Sequence, residues 1–176
     1  MKKNLIIGIL ILFNFFTINA YAWDHSIELG YGYSHDPNNV KYNNSGLLLT
    51  TDLLPLSRGR YTFWSITGAL GQWHTTAPSH QNLTTGAASL ALRLYPIPKY
   101  YPAYFLGSVG PALLSSRKFG VNTQGSNLSL QINLGLGMEI HSFDVNLRLT
   151  HYSNAHIFHP DEGFNILYLL SVGYLF

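Results

Sequence analysis

The sequence predicts an all-β chain: a transmembrane, antiparallel, up-and-down β-barrel of eight strands and the outer-membrane type. Three observations carry this. Segments of alternating apolar and polar residues recur along the chain, with no helical periodicity between them. Charged residues make up 10% of the chain and aromatics 14%, the reverse of a water-facing surface. A sheet in lipid must also close on itself, because an open edge would leave backbone groups without partners. A soluble β-sandwich suits the length but not such strands.

The amino end reads as a leader. Met1-Lys2-Lys3 is basic, Leu5 to Phe16 is apolar, and Ala20-Tyr21-Ala22 has the small-x-small pattern of a cleavage site. Cleavage after Ala22 is expected, with residues 23–176 forming a single barrel domain. The apolar run is shorter than the roughly 20 residues of a membrane-spanning helix, which argues against a retained anchor. Without Lys2 and Lys3 the basic residues equal the 8 acidic ones. No basic stripe remains for a nucleic-acid partner. The chain has 0 cysteines, so closure of the barrel stands in for disulfides.

Each strand follows from its own pattern. Ile27, Leu29, Tyr31 and Tyr33 alternate with Glu28, Gly30, Gly32 and Ser34, giving the first. A polar loop at 35–45 leads to the second, Gly46 to Leu54, and Pro55 to Gly59 is expected to turn. Arg60 to Trp73 is the third, with Trp64, Ile66 and Leu70 on one face. After a loop at 74–82, Leu83 to Tyr95 is the fourth. Prolines 96, 98 and 102 force a turn. Ala103 to Leu114 is the fifth and 115–126 a basic loop.

The sixth, Leu128 to Ile140, alternates without a miss. His141-Ser142 turns the chain into the seventh, which runs on through Ser153. A loop at 156–163 precedes the eighth, Asn165 to Phe176, where Ile166, Tyr168, Leu170, Val172 and Tyr174 share a face. The terminal Phe176 resembles the signal read by outer-membrane assembly machinery.

With a periplasmic amino terminus, the short turns are periplasmic and the longer loops extracellular. An eight-stranded barrel is filled by its own side chains. The inward set Glu28, Asp52, Arg93, Gln131, Asn133, Glu139, Asn146 and Arg148 mixes both charges, which predicts a packed polar core rather than a pore.

The seventh strand carries the chemistry. Val145, Leu147 and Leu149 share one face and Asn146 and Arg148 the other, so His151 and Ser153 continue the apolar, lipid-facing wall. A serine hydroxyl becomes a useful nucleophile only beside a base, and the imidazole is that base here. Residues 151–155 (His-Tyr-Ser-Asn-Ala), with Pro160 and Gly163-Phe164-Asn165, resemble the PagL family of lipid A 3-O-deacylases.

The resemblance implies a serine esterase of the outer membrane, without a cofactor, that removes the 3-O-linked acyl chain of lipid A within lipopolysaccharide. Ser153 is then the nucleophile, His151 the general base and Asn154 an oxyanion donor, with neighbouring backbone N–H groups. The acid that orients the histidine in that family falls at Asn165, which is not an acid. Counting back from Phe176 also places Asn165 on the inward face unless a bulge re-aims it. An amide can still orient an imidazole, so Asn165 is the first candidate for that role and Glu162, with Asp161 beside it, the second.

Three other readings stand beside this one. His156, His159, Asp161 and Glu162 are metal-ligand types that could join His151. The chain could be a structural or adhesive barrel without catalysis. It could also be another outer-leaflet phospholipase or acyltransferase. The sequence leaves room for a homodimer. Arg117-Lys118 suits lipid phosphates as well as it suits water.

Overall fold

The structure, a computed structural model, describes residues 25–35, 41–96 and 103–176. The expected leader, most of the first loop and the proline turn lie outside the described residues. The strands are β1 (Ser26–His35), β2 (Asn43–Arg58), β3 (Thr62–Thr75), β4 (Asn82–Leu94), β5 (Ala103–Leu114), β6 (Lys118–Phe119), β7 (Asn122–Thr123), β8 (Leu128–Ile140), β9 (Phe143–Ser153) and β10 (Phe164–Leu175). All but β6 and β7 close into one antiparallel barrel in the order β1-β10-β9-β8-β5-β4-β3-β2. The closing ladder of β1 and β10 runs from Ser26↔Leu175 to Tyr33↔Tyr168. Every barrel strand pairs on both sides, as lipid requires.

The exterior is an apolar band. Leu29, Tyr31, Leu70, Leu113, Leu134 and Tyr168 are all more than half exposed, with no charged residue among them. Inside, the lower half is polar. Glu28 binds both Arg93 and Arg148, and Arg93 also reaches Asp52 at 3.3 Å. Asn146 bridges Glu28 and Asp144, and Tyr104 donates to Asp144 at 2.6 Å. The space left among Glu28, Arg93, Asn133 and Arg148 is about 20 Å³, room for about one water molecule. This is the packed polar core that the inward set predicts, with Asp144 added and Glu139 half-buried.

The upper half holds the main apolar cluster. Trp73, Tyr152, Phe164, Ile166 and Leu169 form a plug beneath the long loops, none more than 1% exposed. Strand alternation does not reveal it, because these residues come from three strands and meet only on closure.

Three expectations need correcting. β2 does not turn at Pro55; it runs to Arg58 with irregularities at Asp52/Leu54 and Pro55/Ser57. The ladder between β1 and β2 ends at Ile27↔Thr51, so Pro55 sits on an overhang whose β1 side carries no ladder. A proline costs nothing there. The loop at 115–126 contains the hairpin β6–β7, turned at Gly120, whose φ of 62° needs no side chain in the way.

The third correction is in β10. Its register slips between Ile166 and Leu169, so Leu167 and Tyr168 both face outward and the residues above them change sides. Ile166 is therefore buried in the plug rather than lipid-facing.

Candidate active site

That bulge sets the site. Below it, even-numbered residues of β10 face out; above it, odd-numbered ones do. Asn165 is thus turned outward, directly opposite His151 in the β9–β10 ladder. Its Oδ1 lies 2.7 Å from His151 Nδ1. An oxygen acceptor there holds the ring proton on Nδ1 and leaves the Nε2 lone pair for a substrate-side proton. The inward placement expected from strand parity is corrected by one extra residue, Leu167 and Tyr168 together opposing Leu149.

β9 alternates as the sequence demands. Thr150, Tyr152 and Asn154 are buried, while His151 and Ser153 are half-buried on the outer wall. Tyr152 anchors this end of the strand from inside. Its ring stacks on Phe164 at 4.7 Å, and its hydroxyl meets Gln131 Nε2 at 2.7 Å and Thr85 Oγ1 at 3.1 Å. A residue so tied inward fixes the outward aim of its two neighbours. On the β8 side, Leu130 stands opposite Ser153 and Ile132 opposite His151, both apolar and half-buried.

Among the described residues Ser153 Oγ makes no hydrogen bond, so the hydroxyl is uncommitted. Gly163 closes over the pair. A Cβ built there would lie 2.9 Å from His151 Cε1, 3.1 Å from Ser153 Cβ and 2.7 Å from the Tyr152 carbonyl oxygen. The imidazole and the serine therefore flank one small space that only a glycine leaves open.

The other candidates are placed elsewhere. Asn154 is 2% exposed; its side-chain amide donates to Phe158 O at 2.6 Å and its backbone N–H to Asp161 Oδ1 at 3.0 Å. Its backbone N–H and one hydrogen of its amide thus hold the loop. Glu162 accepts the Thr123 N–H at 2.8 Å and makes no contact with His151 among the described residues. That corrects its reading as an orienting acid.

Asp161 has the part that the sequence did not reveal. Its carboxylate accepts the N–H groups of Asn154 and His156, the latter at 2.8 Å, and pairs with His156 Nδ1 at 2.8 Å. Burial pushes this carboxyl up, but those donors and the imidazole outweigh it and leave the group below the ordinary aspartate range. The clamp follows immediately on Ser153, and lets Ala155 and His156 adopt φ of 53° and 63°. With His156 held by Asp161 and His151 by Asn165, the metal-ligand types are split between two places.

Comparison with known proteins bears on the barrel and on its family. No curated protein matches the sequence. Among solved structures, one described as the crystal structure of the outer membrane enzyme PagL is similar, with a TM-score of 0.62 at 16% identity. The match covers 85% of this chain and 98% of that one, and at this identity it speaks for the fold. The model of the family Lipid A 3-O-deacylase (PagL) matches residues 25–174, the whole described barrel but its last residues. With the closed barrel and that match taken together, the chain is an outer-membrane protein and belongs to the lipid A 3-O-deacylase (PagL) family.

Proposed function

We propose that this barrel hydrolyses the 3-O-linked acyl ester of lipid A, with Ser153 as nucleophile and His151 as general base. The observation that carries the reading is the Asn165–His151 hydrogen bond of 2.7 Å beside an uncommitted Ser153 hydroxyl on the lipid-facing wall. His151 Nε2 takes the serine proton as Oγ attacks the acyl carbonyl. Collapse of the tetrahedral intermediate breaks the bond to the sugar oxygen, which receives the proton from His151. Water then hydrolyses the acyl-serine by the same route, releasing a fatty acid.

The developing oxyanion needs fixed donors. Among the described residues the N–H groups of Asn154, His156 and Ile157 are engaged, whereas that of Ala155 is free. We assign it that role. Asn165 orients His151 but brings no charge to balance the imidazolium. Met1 to Ala22 is read as a leader removed on export.

The test is mass spectrometry of lipid A from cells carrying the protein, lacking it, or carrying Ser153→Ala. The protein should remove one ester-linked acyl chain as free fatty acid, and Ser153→Ala should not. Unchanged lipid A in cells holding the folded native protein would refute the reading. An acyl chain recovered on a second lipid would make the enzyme a transferase.

A further inference from the structure

Where the two long loops meet, the structure holds a cavity of about 370 Å³ that the proposed chemistry does not use. One wall is the β6–β7 segment with Arg117, Lys118, Thr123 and Gln124; the other is His159-Pro160, from the loop that begins just after Ser153. The loops are laced together. Gly125 N–H donates to Pro160 O at 2.6 Å, Glu162 N–H to Thr123 O at 3.0 Å, and Gln124 forms a β-bridge with Asp161. Gly125 is needed for that approach, since a Cβ there would come within 2.5 Å of His159 O.

Two features mark the cavity as built for a ligand. Its lining carries two cations and a histidine but no carboxylate. Glu162 lines a smaller neighbouring space that Arg117 and Gln124 also border, and among the described residues it forms no ion pair with Arg117 or Lys118. The second feature is Gln124. It is 3% exposed, lines the cavity, and neither its Nε2 nor its Oε1 has a partner. A buried amide with both ends unsatisfied destabilises the fold unless something offsets it.

We infer that this cavity receives a phosphoryl group of the substrate lipid, with Arg117 and Lys118 as its donors and the unpartnered Gln124 behind its wall. The guanidinium can bind a phosphate through two parallel N–H groups, and the ammonium adds a point charge. The volume exceeds that of one phosphate and leaves room for part of the sugar that bears it. This rests on lipid A being the substrate, and adds that its headgroup is gripped by the wall that continues from the nucleophile.

Binding tests the idea apart from turnover. Folded Ser153→Ala barrel in detergent micelles would be titrated with bisphosphorylated lipid A, with dephosphorylated lipid A, and with inorganic phosphate as competitor. The phosphorylated form should bind about tenfold more tightly, and Arg117→Gln/Lys118→Gln in a barrel of unchanged heat resistance should erase that preference. Equal binding of the two lipids, or a preference that survives both substitutions, would overturn the proposal. Displacement of the lipid by millimolar inorganic phosphate would assign the cavity to a free anion instead. If native protein released no acyl chain, the proposed reaction would fail while the binding result still judged the phosphate site.

Discussion

Asn165 faces His151 across the β9–β10 ladder with its Oδ1 2.7 Å from Nδ1, so an uncharged amide occupies the place of an orienting acid. The amide fixes the tautomer, the larger part of what such a partner does. It does not stabilise the imidazolium. Asn165→Asp should therefore raise kcat by about tenfold, or ~1.4 kcal/mol. Asn165→Ala should lower it by roughly a hundredfold, and Glu162→Ala by less than about threefold. Steady-state kinetics on lipid A decide the order; a Glu162 variant worse than Asn165→Ala would move the orienting role into the loop.

On the proposed mechanism Ser153 and His151 act on one proton, so their losses should not add. Each alanine variant should keep the heat-resistant barrel yet abolish acyl release, and the double variant should be scarcely slower than either single one. Additive losses would mean that the two residues serve separate steps.

Gly163 leaves open the space between the imidazole and the serine. Gly163→Ala would put a methyl group 2.9 Å from His151 Cε1 and 2.7 Å from the Tyr152 carbonyl oxygen. The expected result is a loss of about a hundredfold in kcat with the barrel intact, a displacement of under an ångström being enough for that. Activity within twofold of native would place the reacting atoms elsewhere.

The Asp161 clamp gives a pH dependence of definite sign. Its carboxyl is lowered in the folded loop, so the stabilisation is complete above the unfolded aspartate value of about 3.9 and fades as pH falls through the lower folded one. From neutral pH down to about 4, Asp161 should leave loop order unchanged; below that, amide exchange at Asn154 and His156 should accelerate. Asp161→Asn should show the fast exchange at every pH, and slow catalysis by about tenfold. Exchange that ignores both changes would dismiss the clamp.

The face assignment of β9 is open to labelling. Leu147 is 50% exposed on the outer wall and Leu149 half-buried beside it. Single cysteines at either position should react with a lipid-soluble thiol reagent and resist a water-soluble one. The reverse pattern would turn the strand over.

Much of this was legible in alternation alone. The eight barrel strands, the polar interior around Glu28 and Arg148, and the shared face of His151 and Ser153 all follow from a period of two. What alternation cannot carry is a change of phase. Leu167 and Tyr168 are both large and apolar, so nothing in their identity says that both oppose the single position of Leu149. Asn165 reaches His151 only through that slip.

The Asp161 clamp was hidden for another reason. Its partners are backbone N–H groups, which every residue has, so the sequence offers no spacing to read. Gly120 was the one legible cue to the small hairpin, and Gln124 showed no sign of being buried.

The packed plug of Trp73, Tyr152, Phe164 and Ile166 has a consequence for the fate of the acyl group. It fills the lumen behind the wall that carries His151 and Ser153, so water for the proposed reaction does not come through the barrel. On the proposed mechanism, the molecule that frees Ser153 must arrive along the headgroup layer, the same layer that delivers the next lipid. The balance between releasing an acyl chain and handing it to another hydroxyl then depends on how wet that layer is. A membrane surface dried by divalent cations would slow this enzyme after its first step, with the acyl chain still on the serine.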